Sequence, residues 1–298
     1  METSSRGTGA KEFRIEVNGV ELAVWERPGD DPAVLLLHAT GFHSRCWDEV
    51  IARLPGRRCI AFDARGHGRS SKPAPPYPWR EFGRDTAALA QALGLRGAVG
   101  VGHSMGGHAV TLAAALEPEA FSELVLIDPV LFPEAWYQGP AAELRMVANR
   151  RNRWASWDDM YLRFKDRKPF DRWNRKVLLD YCEFGLSAAP DGDGFMLACP
   201  PEIEAAIYQY GSHPDSNIYA ELSNVRIPVQ VVRASRFNAE RFDFTTSPTA
   251  PDVASKFPNA TDLQFPDHSH FLPMEAPDLA ADLITHRENG WRPTTPHR

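Results

Sequence analysis

The sequence predicts a doubly wound, mostly parallel α/β sheet of eight strands, broken past its middle by a mainly helical insertion. Three observations predict it. Short apolar runs without polar alternation recur along the chain, as strands buried on both faces require. Helical patterns separate those runs, and strand alternating with helix in this order implies a doubly wound sheet. The alternation stops between about Val130 and Leu222 and resumes at Val225.

The first two strands read as a hairpin. Phe13, Ile15 and Val17 alternate with polar residues, Leu22 and Val24 repeat the pattern, and Asn18-Gly19 joins them. Asn-Gly between such runs is a strong hairpin signal, because the favoured two-residue turn needs positive φ at both positions. The unalternated runs follow: Ala33–Leu37, Cys59–Phe62, Ala98–Val101, Leu124–Ile127 and Val229–Val232. Between them, Phe82–Leu93 sets Phe82, Leu89 and Leu93 on one helical face, and alanine-rich Met105–Leu116 reads as another helix. Asp262–Phe265 and Ala276–His286 supply the last strand and helix. The expected core is therefore residues 1–130 and 223–298, with residues 131–222 inserted as a cap over one edge of the sheet. That insertion holds four of the eight tryptophans, and Arg145, Arg150, Arg151 and Arg153 make its first part basic. A solvated helix face accounts for the arginines; attraction of an anionic substrate to the site entrance is the alternative.

Composition narrows the function classes. At 298 residues, 43% hydrophobic and 24% charged, the chain reads as an ordinary soluble globular protein. A formal charge of −6 argues against a nucleic-acid partner, which needs a basic face. No apolar run approaches the roughly 20 residues of a membrane helix. The start, METSSRGTGAKEF, lacks an apolar stretch of signal-peptide length and reads as a short mobile tail. Cys46, Cys59, Cys182 and Cys199 show neither CxxC pairing nor zinc-like spacing, so free thiols in a reducing cytoplasm are expected. No glycine-rich phosphate loop or dinucleotide fingerprint is present, so no cofactor and no metal are expected. The expected partner is a small molecule, and the oligomeric state is open.

The chemistry centres on Gly102-His103-Ser104-Met105-Gly106, which fits G-x-S-x-G. In that motif a serine occupies a strained turn between strand and helix, and glycine two residues to either side lets the backbones pack closely. Chance alone supplies the pattern in about one chain in ten of this length. Context decides: an apolar strand precedes it directly and a helical run follows. Ser104 is the expected nucleophile.

Three further segments fall at matching places. His38-Ala39-Thr40-Gly41-Phe42 follows the third strand, Phe62-Asp63-Ala64-Arg65-Gly66-His67-Gly68-Arg69-Ser70 the fourth, and His268-Ser269-His270-Phe271-Leu272-Pro273 the eighth. With the serine motif, and in this order, they resemble the α/β-hydrolase superfamily from about residue 12 to 287, in the branch with a helical cap after the sixth strand. The resemblance implies the α/β-hydrolase fold and acyl transfer through a serine, a histidine and an acid. By position, the backbone amide of Thr40 would help hold the oxyanion, with Phe42 the alternative and Ala39 standing where glycine is commoner. The amide of Met105 would be the second donor. His38, Asp63, Arg65 and His67 would brace the loops. His268 and His270 both lie where the base belongs, and His270-Phe271 matches the family pattern of histidine before an aromatic or apolar residue. Most relatives keep the acid after the seventh strand, where this chain has Asn238. A smaller branch keeps it after the sixth, where Leu126-Ile127-Asp128-Pro129 stands, so Asp128 is the expected acid and Asp243 the alternative. Small or medium carboxylic esters are the expected substrates. The rivals are C–C bond or lactone hydrolysis on the same triad, and a non-catalytic small-molecule receptor of the same fold.

Overall fold

Asn18 and Gly19 adopt φ of 46° and 72°, and the turn they make pairs Lys11–Val17 antiparallel with Val20–Arg27. This hairpin begins the computed structural model, which describes residues 9–139, 145–238 and 246–285. Across the main sheet the strands run Lys11–Val17, Val20–Arg27, Arg57–Phe62, Asp30–Leu37, Ala98–His103, Phe121–Ile127, Val229–Ala234 and Ala260–Phe265. The second strand meets the fourth antiparallel, and every later pairing is parallel. This is the mostly parallel eight-stranded sheet that the sequence predicts.

The unalternated runs have a physical cause. Leu35, Leu37, Ile60, Phe62, Leu124 and Leu126 join one apolar core, under the helices Trp79–Ala92 and Met105–Leu116. Their immediate neighbours Val34, Leu36, Cys59, Ala61, Val125 and Ile127 join a second core on the opposite face, with Leu54, Leu283 and Ile284. Successive strand residues point to opposite faces, so a strand covered on both must be apolar throughout. Each fully buried aliphatic side chain contributes about 1.5–3 kcal/mol.

Strand order reverses direction at the centre. From Asp30–Leu37 the chain crosses to one side, and from Ala98–His103 it crosses to the other. The crevice beyond the carboxyl ends of such strands is where open α/β sheets bind ligands. Here it lies between the loop after Leu37 and the turn at Ser104.

Between Ile127 and Val229 come the helices Trp157–Phe164, Arg175–Phe184 and Pro201–Tyr210, with shorter turns. Ser156 Oγ accepts the Asp159 amide and Asn174 Oδ1 accepts those of Lys176 and Val177, capping two of these helices. The segment also holds a small antiparallel sheet, Arg153–Trp154, Phe195–Leu197 and Leu186–Ala188, which the sequence reading lacks. Strands of two or three residues are too short for a period of two to register. Trp154, Met160, Trp173, Leu178 and Tyr181 form a third core, and it packs on Ala39, Phe42 and Phe271 from the loops of the main sheet. Among the described residues no helix is long and apolar enough to cross a membrane.

All four cysteines are buried free thiols. Burial pushes Cys182 up to about 12 and holds Cys46 and Cys199 well above the usual thiol range, so none is poised as a thiolate.

His108, in the helix after Ser104, is fully buried and donates from Nε2 to the Ser216 carbonyl at 2.8 Å. Its Nδ1 is buried without a partner, and burial lowers its pKa to about 4. The unfolded chain therefore takes up this proton near pH 6.5, and the folded chain only near pH 4. Stability from this group is present in full above pH 6.5 and lost as pH falls to 4, by about 3 kcal/mol at most. His108→Asn is expected to flatten this part of the stability curve, read as the urea midpoint from pH 7 to 4. An unchanged slope would remove His108 as a cause.

Candidate active site

Ser104 stands alone between the central strand Ala98–His103 and the helix Met105–Leu116, at φ 58° and ψ −119°. A positive φ at a residue with a Cβ costs about 1–3 kcal/mol and persists only where its surroundings impose it. The Ser104 amide donates to the Ile127 carbonyl at 3.1 Å, and the Val130 amide donates to the Ser104 carbonyl at 3.0 Å. A Cβ on Gly102 would overlap the Gly106 carbonyl, and one on Gly106 would overlap the Leu37 carbonyl. The two glycines are thus steric requirements of the turn.

His270 Nε2 lies 3.0 Å from Ser104 Oγ, and its Nδ1 lies 2.6 Å from Asp128 Oδ2. A carboxylate only accepts, so Nδ1–H donates to Asp128 and Nε2 is left to accept from the serine hydroxyl. Asp128 is fully buried directly after the sixth strand, also at positive φ, 46°. Its second oxygen accepts the Ala234 amide at 2.9 Å and the Ser247 hydroxyl at 2.5 Å. The structure therefore brings Ser104, His270 and Asp128 together. His268 turns elsewhere, donating from Nδ1 to Glu275 at 3.3 Å. Asn238 is exposed, whereas the imidazole is buried, and Asp243 lies outside the described residues.

The loop after the third strand is held amide by amide. The Gly41 amide donates to His67 Nε2 at 3.0 Å, and the Phe42 amide donates to the Ala39 carbonyl at 3.1 Å. Neither Thr40 nor Met105 gives its amide to another described residue. His38 accepts the Ala64 amide at 3.0 Å and donates to the Ala39 carbonyl at 2.8 Å, tying this loop to the one after the fourth strand. Asp63 accepts from the Ser44 amide and hydroxyl and from the Arg69 amide, and Arg65 pairs with Asp85. Burial holds His38 and His67 below the ordinary imidazole range, which suits the neutral tautomers these bonds need.

A cavity of about 280 Å³ opens over Thr40, Phe42 and Phe271 from the main sheet's loops and is closed by Arg150, Tyr181 and Glu204 from the insertion. That size sits at the small end of ligand pockets. The insertion's arginines do not form one face. Arg150 reaches the cavity, with Nη1 on Glu204 Oε2 at 2.6 Å and Nη2 on the Tyr181 hydroxyl at 3.2 Å. Arg151 pairs with Asp159, and Arg153 with Asp191, at the surface. The Arg145 side chain lies outside the described part of the structure.

Sequence reasoning missed Ser247, Glu275 and Glu204. Ser247 bonds Asp128 across more than a hundred residues, with no local pattern to mark it. Glu275 accepts the Ser269 amide and hydroxyl and so fixes the loop carrying His270; its place in the one-turn helix Leu272–Glu275 after that loop is a signal that could have been read.

Comparison with known proteins agrees with the fold. The chain is 39% identical over 106 residues to a non-heme chloroperoxidase of Streptomyces lividans, covering 35% of this chain and 38% of that one. It is 34% identical over 116 residues to the 2-(acetamidomethylene)succinate hydrolase of Mesorhizobium japonicum, covering 39% and 41%. These matches span about two fifths of the relatives' length. A crystal structure of E-2-(acetamidomethylene)succinate hydrolase superposes with a TM-score of 0.75 at 23% identity, covering 94% of this chain and 99% of that one. The model of the alpha/beta hydrolase family matches residues 34–283, most of the chain and all four motif segments. By that match, and by the sheet and nucleophile turn described above, the chain belongs to the alpha/beta hydrolase family.

Proposed function

We propose that the chain is a serine hydrolase that cleaves small carboxylic esters through an acyl-enzyme on Ser104. The observation that carries the reading is the unbroken chain of hydrogen bonds from Ser104 through His270 to buried Asp128. In this reading His270 Nε2 takes the hydroxyl proton as Ser104 Oγ attacks the ester carbonyl carbon. The oxyanion settles between the amides of Thr40 and Met105, neither of which donates to another described residue. Such preorganised donors act on charge that develops only in the transition state, and losing one typically costs about 10²–10³ in rate. The carbon–oxygen bond to the alcohol then breaks, and His270 returns the proton to the leaving oxygen. Water attacks the acyl-enzyme by the same route, releasing the carboxylic acid and restoring Ser104.

Residues 131–222 act as the cap over the core of residues 1–130 and 223–298, and they supply the pocket's specificity. The hydrolase named among the relatives supports the reaction type. The test is a series of aryl esters of graded acyl length, with mass spectrometry of phosphonate-treated protein to locate the label. Activity confined to short acyl groups and a single label on the peptide with Ser104 are expected. A label elsewhere would overturn the reading.

His268→Ala is expected to lower kcat less than about tenfold, since its Nδ1 turns to Glu275 in a partly exposed contact and Glu275 still holds Ser269 without it. A loss as large as that of His270→Ala, measured with the same ester, would reverse the assignment of the base.

A further inference from the structure

Above the proposed oxyanion site stands a polar group that the serine mechanism does not use. Glu204, from the helix Pro201–Tyr210, is buried, and one oxygen is taken by Arg150. Its other oxygen, Oε1, lies over Gly41, only 2.5 Å from where a Cβ would stand. Gly41, at φ 80°, leaves that space open, and Oε1 accepts no hydrogen bond from a described residue. Arg150 gives two N–H groups to Glu204 and Tyr181, and a guanidinium has five. An acceptor and donors therefore sit side by side in a cavity lined mainly by apolar and aromatic residues, one residue along from Thr40. Thr40 Oγ1 is buried beside them without a partner.

We propose that the Arg150–Glu204 couple is the specificity determinant for an uncharged acyl group carrying a carboxamide. Its C=O accepts from Arg150 and its N–H donates to Glu204 Oε1. The inference rests on the serine-hydrolase reading and names its substrate class. The couple is neutral as a whole, so the basic residue at the entrance does not make an anion site. A ligand carboxylate would satisfy Arg150 but would lie against Glu204 in a low-dielectric cavity, where like charges repel strongly. An alkyl group would leave Glu204 Oε1 and the remaining Arg150 N–H groups unsatisfied and cut off from water, which a site built to hydrogen-bond penalises. The probes carry a two-methylene spacer because Glu204 Oε1 lies against Gly41, one residue along from Thr40.

Binding is read by calorimetry on the full-length Ser104→Ala protein, so turnover plays no part. The probes are ethyl succinamate, monoethyl succinate and ethyl 4-methylpentanoate, three esters of nearly one shape. Ethyl succinamate is expected to bind about tenfold or more tighter than either of the others. Adding the isosteric Glu204→Gln is expected to reverse the order of amide and carboxylate, by leaving the Arg150 charge unopposed. Tighter binding of monoethyl succinate with Glu204 in place, or equal binding of all three, would overturn the proposal even if Glu204→Gln fails to fold. Hydrolysis of phenyl acetate, too short to reach the couple, is measured in parallel on the wild-type protein. Its absence would count against the serine-hydrolase reading, and the binding order would still decide the role of the couple.

Discussion

Ser104→Ala is expected to lower kcat for a good ester by about 10⁶, or about 8 kcal/mol of transition-state stabilisation. The hydroxyl is the attacking atom of the proposed mechanism, and alanine offers nothing in its place. The fold should be nearly indifferent. The one side-chain bond removed is that to His270 Nε2, and a single such bond contributes about 1 kcal/mol. Alanine also carries a Cβ, so the strain at φ 58° is neither relieved nor increased. His270→Ala should cost nearly as much, and the double variant little more than either single one, because the two side chains act as a unit. The measurement is kcat for the three variants with one aryl ester, beside urea unfolding of each. Additive losses, or phosphonate labelling that survives in Ser104→Ala, would show that the two do not share one step.

The fold was legible because its signals are local. Unalternated runs such as Ala33–Leu37 betray strands covered on both faces, and the two cores split those runs residue by residue. Gly102 and Gly106 are legible for the same reason: the steric demand that selects them lies within one turn. The lines that stayed open in the sequence depend on contacts between distant segments. Nothing near Arg150 announces Glu204, 54 positions on, so a buried neutral pair reads as a free basic residue. The two- and three-residue strands of the insertion carry no periodicity, and only the aromatic third core reveals why they pack there.

Asp128 shows where local and distant information meet, and its replacement is the second large effect expected. Its neighbours Ile127 and Pro129 mark the end of a buried strand, but its role depends on what three separate segments bring to it. Val232 accepts its backbone amide at 2.6 Å, the Ala234 amide and Ser247 hydroxyl hold Oδ1, and Oδ2 is left for the imidazole. An ionised carboxylate fixes the Nδ1–H tautomer and stabilises the imidazolium that forms during attack. In Asp128→Asn, an amide nitrogen turned toward Nδ1 would favour the wrong tautomer, and an amide oxygen there would lack the charge. A loss of about 10³–10⁴ in kcat follows, by the precedent of serine proteases. Ser247→Ala should lose much less, since the Ala234 amide still anchors Oδ1. Asn238→Ala should lose little, and Asn238→Asp should not rescue Asp128→Asn, because position 238 is exposed while the imidazole is buried. The four variants are compared by kcat on one ester. Near-full activity in Asp128→Asn, or rescue from position 238, would return the acid to the segment after the seventh strand and point to Asp243.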